Sequence, residues 1–180
     1  MNSSLRRSAL SQSVQRFSRV SVTAAFALML LSLLLLTSVH PAYAAEGGSN
    51  LRAQLLALIN QDRAAQNLPA YTENTTLSQA AYDHSSKIAA AGQTNTDTDT
   101  GQRISGAGVQ ATAWGENVGY SPSQPDAWGG AQVVHKSMMA EQPPNDGHRQ
   151  NLLSSNFTQI GIGVVVDDKG VVWVTEDFVK

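Results

Sequence analysis

Cysteine is absent from all 180 positions. That one absence excludes disulfide staples, thiolate nucleophiles and cysteine-held metal. Charge is scarce as well, at 14% of residues, and the basic part of it is unevenly spread. Arg6, Arg7, Arg16 and Arg19 supply four of the 12 basic residues and lie ahead of the main apolar run, where no acidic residue stands. Beyond residue 44 the balance is eight basic against 14 acidic, a net charge near −6. No basic patch remains there, so nucleic acid and anionic membrane surfaces are excluded as expected partners. The chain beyond residue 44 has the length of one compact domain, able to bury a core without cross-links.

Long hydrophobic runs are nearly absent too, and the exception is informative. Val22 to Val39 is apolar, comes after the four arginines, and leads into Ala42-Tyr43-Ala44. A charged region, an apolar region and small residues at the cleavage positions predict a secretory signal over residues 1–44, cut after Ala44. The run is about 18 residues long, which also suits an uncleaved N-terminal anchor. In both readings the rest is exported, to the extracellular space or a periplasm. Residues 45–50 are expected as a flexible Gly-containing leader, and 51–180 as the domain.

Within the domain, Leu51, Leu55, Leu58 and Ile59 recur at helical spacing and predict a first helix, capped by Ser49 or Asn50, to about Gln66. A second begins near Thr75 or Thr76, carries Leu77, Ala80, Ala81, His84 and Ile88 on one face, and ends at Gly92. The stretch TNTDTDTG, Thr94 to Gly101, has no apolar residue and is expected as an exposed loop. A short helix around Arg103-Ile104 precedes an extended segment, Ala113 to Tyr120. A helix from Pro125-Asp126 to about Ala140 places Val133, Val134, Ser137 and Met138 inward. Pro143-Pro144 breaks it, and Asn145 or Asp146 caps a short helix to Leu153. Two β-rich runs, Ile160 to Val166 and Val171 to Thr175, flank Asp167-Asp168-Lys169-Gly170 and predict a hairpin. Helices first and a hairpin last give an α+β domain.

Three histidines lie beyond the signal: His84, His135 and His148. His84 reads as a packed or hydrogen-bonded core residue. His135 lies mid-helix and His148 opens the last helix. With Glu116 they make a two-histidine, one-carboxylate set of the kind that suits zinc. The competing reading is that these side chains hydrogen-bond one another or the backbone; no short metal motif such as HExxH is present. A serine hydrolase is disfavoured because GxSxG is absent. TNTDTDTG alternates Asp97 and Asp99 but lacks the later glutamate of a calcium loop, so it reads as a solvated turn. Asn74-Thr75-Thr76 and Asn156-Phe157-Thr158 match glycosylation acceptors.

Four stretches in order resemble the CAP superfamily (cysteine-rich secretory proteins, antigen five and plant pathogenesis-related proteins), most of all its cysteine-free bacterial members with an SCP-like domain. They are LINQDRAAQNLPA, LSQAAYDHSSKIA, WGENVGY and GHRQNLLSSNFTQIGIGVVV. The resemblance implies a three-layer α-β-α sandwich and a cleft tetrad of two histidines and two glutamates, which in some members binds zinc. Carried over by motif, Glu116 matches the glutamate of Gly-Glu-Asn and His148 the histidine of Gly-His. His135 stands where the second glutamate is usual. The loop histidine is missing, with Asn95 or Asp97 in its place. Asn95, Asp97, Glu116, His135 and His148 are therefore the expected ligand cleft, and Glu116, His135 and His148 the expected metal donors. The implied role is non-enzymatic: an exported monomer binding a small ligand, a lipid or a protein, with zinc as the conceivable cofactor. The alternatives are a metal-dependent hydrolase using Glu116 and His148, and a structural envelope or adhesion protein.

Overall fold

A computed structural model describes residues 41–94 and 99–180. The chain divides into two compact units, Met1–Tyr43 and Ala44–Lys180. The first lies almost wholly outside the described residues, and the expected signal and its apolar run lie there with it. Among the described residues, no helix is long and apolar enough to cross a membrane.

Helix α1, Pro41–Ala65, begins upstream of the expected start and carries the 45–50 stretch within its backbone. Strand β1, Thr72–Glu73, is two residues long, too short for a periodic signal in the sequence. Helix α2, Thr75–Ala91, starts where Asn74 accepts the Leu77 amide at 3.0 Å and stops at Gly92, whose φ of 67° suits glycine. Helix α3, Thr100–Gly106, is capped by Asp99 through the Gln102 amide at 2.8 Å. Strand β2, Trp114–Pro122, precedes helix α4, Ala127–Met139, where Asp126 accepts the Gly129 amide. Helix α5 is Gly147–Leu152. Strands β3, Gln159–Val166, and β4, Val171–Val179, form the expected hairpin, and β4 runs four residues past its expected end.

The sheet order is β1-β3-β4-β2. β1 pairs parallel to β3; β3 with β4 and β4 with β2 are antiparallel. The hairpin turn rests on Asp167, whose carboxylate accepts the Lys169 and Val171 amides and the Trp173 indole N–H at 2.9–3.0 Å. Those bonds, with the Val171 amide foremost, hold the Asp167 carboxyl below its usual range. Trp173 is buried in the inner strand β4, as the alternation within VVWVT predicts.

Side chains alternate across each strand, so every cross-strand row belongs to one face. On one face lie α2 and α3. Gly161 and Gly163 meet α2 so closely that a Cβ would lie 2.4 Å from the Leu77 backbone and 2.2 Å from that of Ala81. Thr175 and Asp177, their register partners, share that face. On the other face, Leu55 and Ile59 of α1, Val134 and Met138 of α4, and Leu152 of α5 pack with Ile162, Val174 and Phe178. Helices on both faces make the three-layer α-β-α arrangement. The inward side of α4 differs by one step from expectation: Ala131, Val134, His135 and Met138 are buried, while Val133 and Ser137 face out. The i, i+3, i+4, i+7 stripe passes through His135, a polar residue, which hides the true phase from a purely apolar reading.

Candidate functional site

The Gly-Glu-Asn segment runs along β2, and alternation sends its two polar side chains to opposite faces. Glu116 stands opposite Asp177 on β4 and points to the α2/α3 face. Arg103 of α3 bridges the two carboxylates, reaching Glu116 through Nη2 and Asp177 through both Nη1 and Nη2. Thr100 donates its hydroxyl to Glu116 at 3.1 Å, and His84 Nδ1 lies 3.4 Å from the same carboxylate and 3.3 Å from Thr175 Oγ1. Ser85 continues the network by donating to Thr175 at 2.9 Å. Burial raises the Glu116 carboxyl above its usual range; the Arg103 charge opposes this without cancelling it. His84 is a buried core histidine, as expected, and it is tied into this polar network.

Asn117 points the other way. Its amide donates to the His148 carbonyl at 3.1 Å and to Glu176 at 3.0 Å, and its oxygen accepts from Asn151 at 2.9 Å. Asn151 also donates to the Glu116 carbonyl at 3.1 Å, so α5 is stitched to the edge strand β2 from two sides. Glu176 is fully buried, and burial pushes its carboxyl up to about 7 against the pull of Asn117.

The short helix α5 is held at both ends by side chains from elsewhere. At its start Asp146 makes no cap bond; Glu141 accepts the His148 amide at 3.0 Å and sits 2.5 Å from His148 Nδ1. The Asp146 carboxylate is engaged by Gln150 at 2.7 Å instead, which corrects the expectation of an Asn145 or Asp146 cap. Burial pushes the Glu141 carboxyl up, but the His148 bond and charge and the His148 and Arg149 amides together outweigh it and hold the group below its usual range. Beyond the end of α5, buried Arg63 donates to the Leu152 and Ser154 carbonyls at 2.8 and 2.9 Å and lies 3.5 Å over the Tyr71 ring. The Tyr71 hydroxyl donates to the Asn151 carbonyl at 2.7 Å. These contacts satisfy the carbonyls a helix end leaves open.

The three expected donors therefore have separate partners. His135 Nε2 lies 2.7 Å from Asp62 of α1, an inter-helix pair with the imidazole buried and the carboxylate half-exposed. His148 is held by Glu141, and Glu116 by Arg103 on the opposite sheet face. Asn95 and Asp97 lie outside the described residues. Among the described residues, no three His, Cys, Asp or Glu side chains group as a metal site. The donor set does not fit zinc, and Arg103 gives the physical reason: a guanidinium occupies the carboxylate that a cation would need. Sequence reasoning misses Asp62, Arg103, Glu141 and Glu176. Of these only Glu141 leaves a local signal, an acid shortly ahead of a helix start.

A family model described as the cysteine-rich secretory protein family, CAP, matches residues 56–178. An extracellular protein containing an SCP domain from Bacillus anthracis str. Ames is similar at a TM-score of 0.62 and 24% identity, over 79% of this chain and 44% of that one. A cysteine-rich secretory protein from Staphylococcus aureus gives 0.56 and 20%, over 73% and 39%. An outer surface protein from Borrelia burgdorferi gives 0.60 and 18%, over 73% and 92%. This chain spans less than half the length of the first two. At these identities the likeness concerns the fold. A comparison with curated protein sequences returns no match.

Proposed function

The chain belongs to the cysteine-rich secretory protein family, CAP, and from that premise we propose that it is an exported, non-catalytic recognition domain. Similar structures include an extracellular and an outer surface protein, which accords with the signal expected over residues 1–44 and cleavage after Ala44. Cleavage there would leave α1 beginning at Ala45. The observation that carries the reading is the Arg103 bridge. A general base must be free to take a proton from substrate or water. Glu116 instead shares a guanidinium with Asp177 and receives the Thr100 hydroxyl. What the domain recognises is a small ligand, a lipid or a protein, because neither the charge balance nor the fold suits nucleic acid.

One observation favours a second reading. Glu141 fixes His148 through Nδ1, the carboxylate–imidazole arrangement that orients a general base. Hydrolysis through this dyad ranks second because, among the described residues, no hydroxyl or thiol nucleophile is hydrogen-bonded to His148. Fluorogenic ester and peptide substrates separate the two. The recognition reading expects wild-type protein and His148→Ala to show the same background rate. Turnover that His148→Ala loses would establish the hydrolase.

A further inference from the structure

Glu176 is a buried acid that the recognition reading leaves unused. It stands in the inner strand β4 between Val174 and Phe178, facing the α1, α4 and α5 layer, with no exposed surface. Its Oε2 accepts the Asn117 amide, and its Oε1 is buried with no hydrogen-bond partner. Asn117 Nδ2 carries two hydrogens, and both are committed: one to Glu176 and one to the His148 carbonyl. The side chain that solvates the core carboxyl is thus the same one that ties α5 to the sheet.

Among the described residues, Asn117 is the one side chain shown hydrogen-bonded to Glu176; the charged and titratable groups on the surrounding elements face other partners or make no bond to it. From α1, Arg63 gives its Nε and Nη1 hydrogens to the Pro69, Leu152 and Ser154 carbonyls, and Asp62 faces His135 of α4. Tyr71, ahead of β1, feels the Glu176 charge, but its hydroxyl is spent on the Asn151 and Ser154 carbonyls. From α5 and the turn before it, His148 pairs with Glu141, and Asp146 with Gln150. Arg149 comes next on α5 with a buried Nη1 that makes no hydrogen bond, and no contact joins it to Glu176. Glu116 lies on the other face of the sheet.

The geometry points to a protonation-controlled latch: neutral Glu176 leaves Asn117 bridging β4 to the His148 helix, and ionised Glu176 draws the Asn117 amide to itself and releases that helix. As a carboxylic acid, Glu176 keeps its proton on Oε1 and asks for one donor. As a carboxylate, it demands donors at both oxygens, and charge-assisted bonds are roughly twice as strong as neutral ones. A buried charge left short of donors is costly. Asn117, already bonded to Oε2, answers by turning its second hydrogen from the His148 carbonyl. Burial places the switch near neutral pH. Since Asn151 bonds Asn117 and the Glu116 carbonyl, the loosened end of α5 would carry His148 away from β2.

The test is amide hydrogen exchange in the full chain from pH 5.5 to 8.5, corrected for intrinsic rates. The reporters are Gln150 and Leu153, whose amides close the α5 turns on Asp146 and Arg149. Losing one hydrogen bond predicts roughly a tenfold loss of protection with rising pH. In Glu176→Gln the profile should be flat, because its amide cannot ionise. Flat protection in the wild type would overturn the latch. An unchanged pH dependence in Glu176→Gln would do the same, assigning the effect to the Glu141–His148 pair. Should Glu176→Gln fail to fold, wild-type NMR decides: the Asn117 side-chain amide must titrate with the Glu176 carboxyl, at a midpoint well above that of an ordinary glutamate. Independent midpoints, or an ordinary one for Glu176, would sink the proposal.

Discussion

Glu116 and Asn117 are neighbours in sequence, yet they solve opposite problems on the two faces of one sheet. On the α2/α3 face, two carboxylates and a guanidinium form a charged bridge, with Thr100 and His84 beside it. On the α4/α5 face the polar cluster around Asn117 is amides and one acid whose carboxyl burial pushes up to about 7. The first face compensates charge with charge. The second places the amide hydrogens of Asn117 and Asn151 around a single buried acid. The contrast also sets apart residues that resemble one family tetrad: the pleat of β2 turns Glu116 to the α2/α3 face, while His135 and His148 stand on α4 and α5.

Removing Arg103 should be the most damaging single change to that contrast. Arg103→Ala leaves Asp177, fully buried, and Glu116 without their cation, and breaking such a bridge costs roughly 3–5 kcal/mol. Denaturant unfolding at pH 7 measures it, and the loss should shrink toward pH 4 as the stranded carboxylates protonate. Trp173→Ala, which opens a cavity beneath Tyr120 at the inner strand, is expected to cost a similar 3–5 kcal/mol by the same measurement. A loss below about 1 kcal/mol would contradict burial of the indole.

The amide face should give smaller and differently signed effects. Asn117→Ala strands the His148 carbonyl and Glu176, a cost of roughly 1–3 kcal/mol. Glu176 also supplies a pH signature. Its folded carboxyl is raised from 4.5 to about 7, so the folded chain holds a proton that the unfolded chain has released. Stability from this group is therefore full below pH 4.5, declines as pH rises to about 7, and levels off above. In Glu176→Gln that part of the decline should vanish, as thermal melts across the range will show. His148→Ala should matter least, since its side chain is 41% exposed and its pairing with Glu141 is partly screened; a change within about 1 kcal/mol is expected.

The fold is readable in the sequence because its signals are local. Asn74 and Asp126 cap helices that begin near their expected starts, Gly92 ends α2, and the Asp167–Gly170 turn joins two β-rich runs. The phase of α4 escapes an apolar reading because His135, a buried polar residue, sits in the stripe. The site is readable as residues and not as an arrangement. Asp62 meets His135 across 73 positions, and Arg63 meets Leu152 across 89. No periodicity encodes such pairs. Motif position groups Glu116 with His148 because it says nothing about which face of a strand a side chain takes. Arg103 and Asp177, which decide the chemistry of Glu116, lie on other elements and come together only in the folded sheet.

The central claim is that Glu116, His135 and His148 work in three separate pairings and not as one cation site. Zinc titrated into the full chain at pH 7.5, with melting temperature as the readout, tests it directly. A native-state ligand raises stability by RT ln(1 + [L]/Kd), so a shared site must raise the melting temperature with concentration. The separate pairings predict no rise in the wild type. A concentration-dependent rise that Glu116→Gln and His148→Ala both abolish would contradict the claim and join those side chains in one metal site.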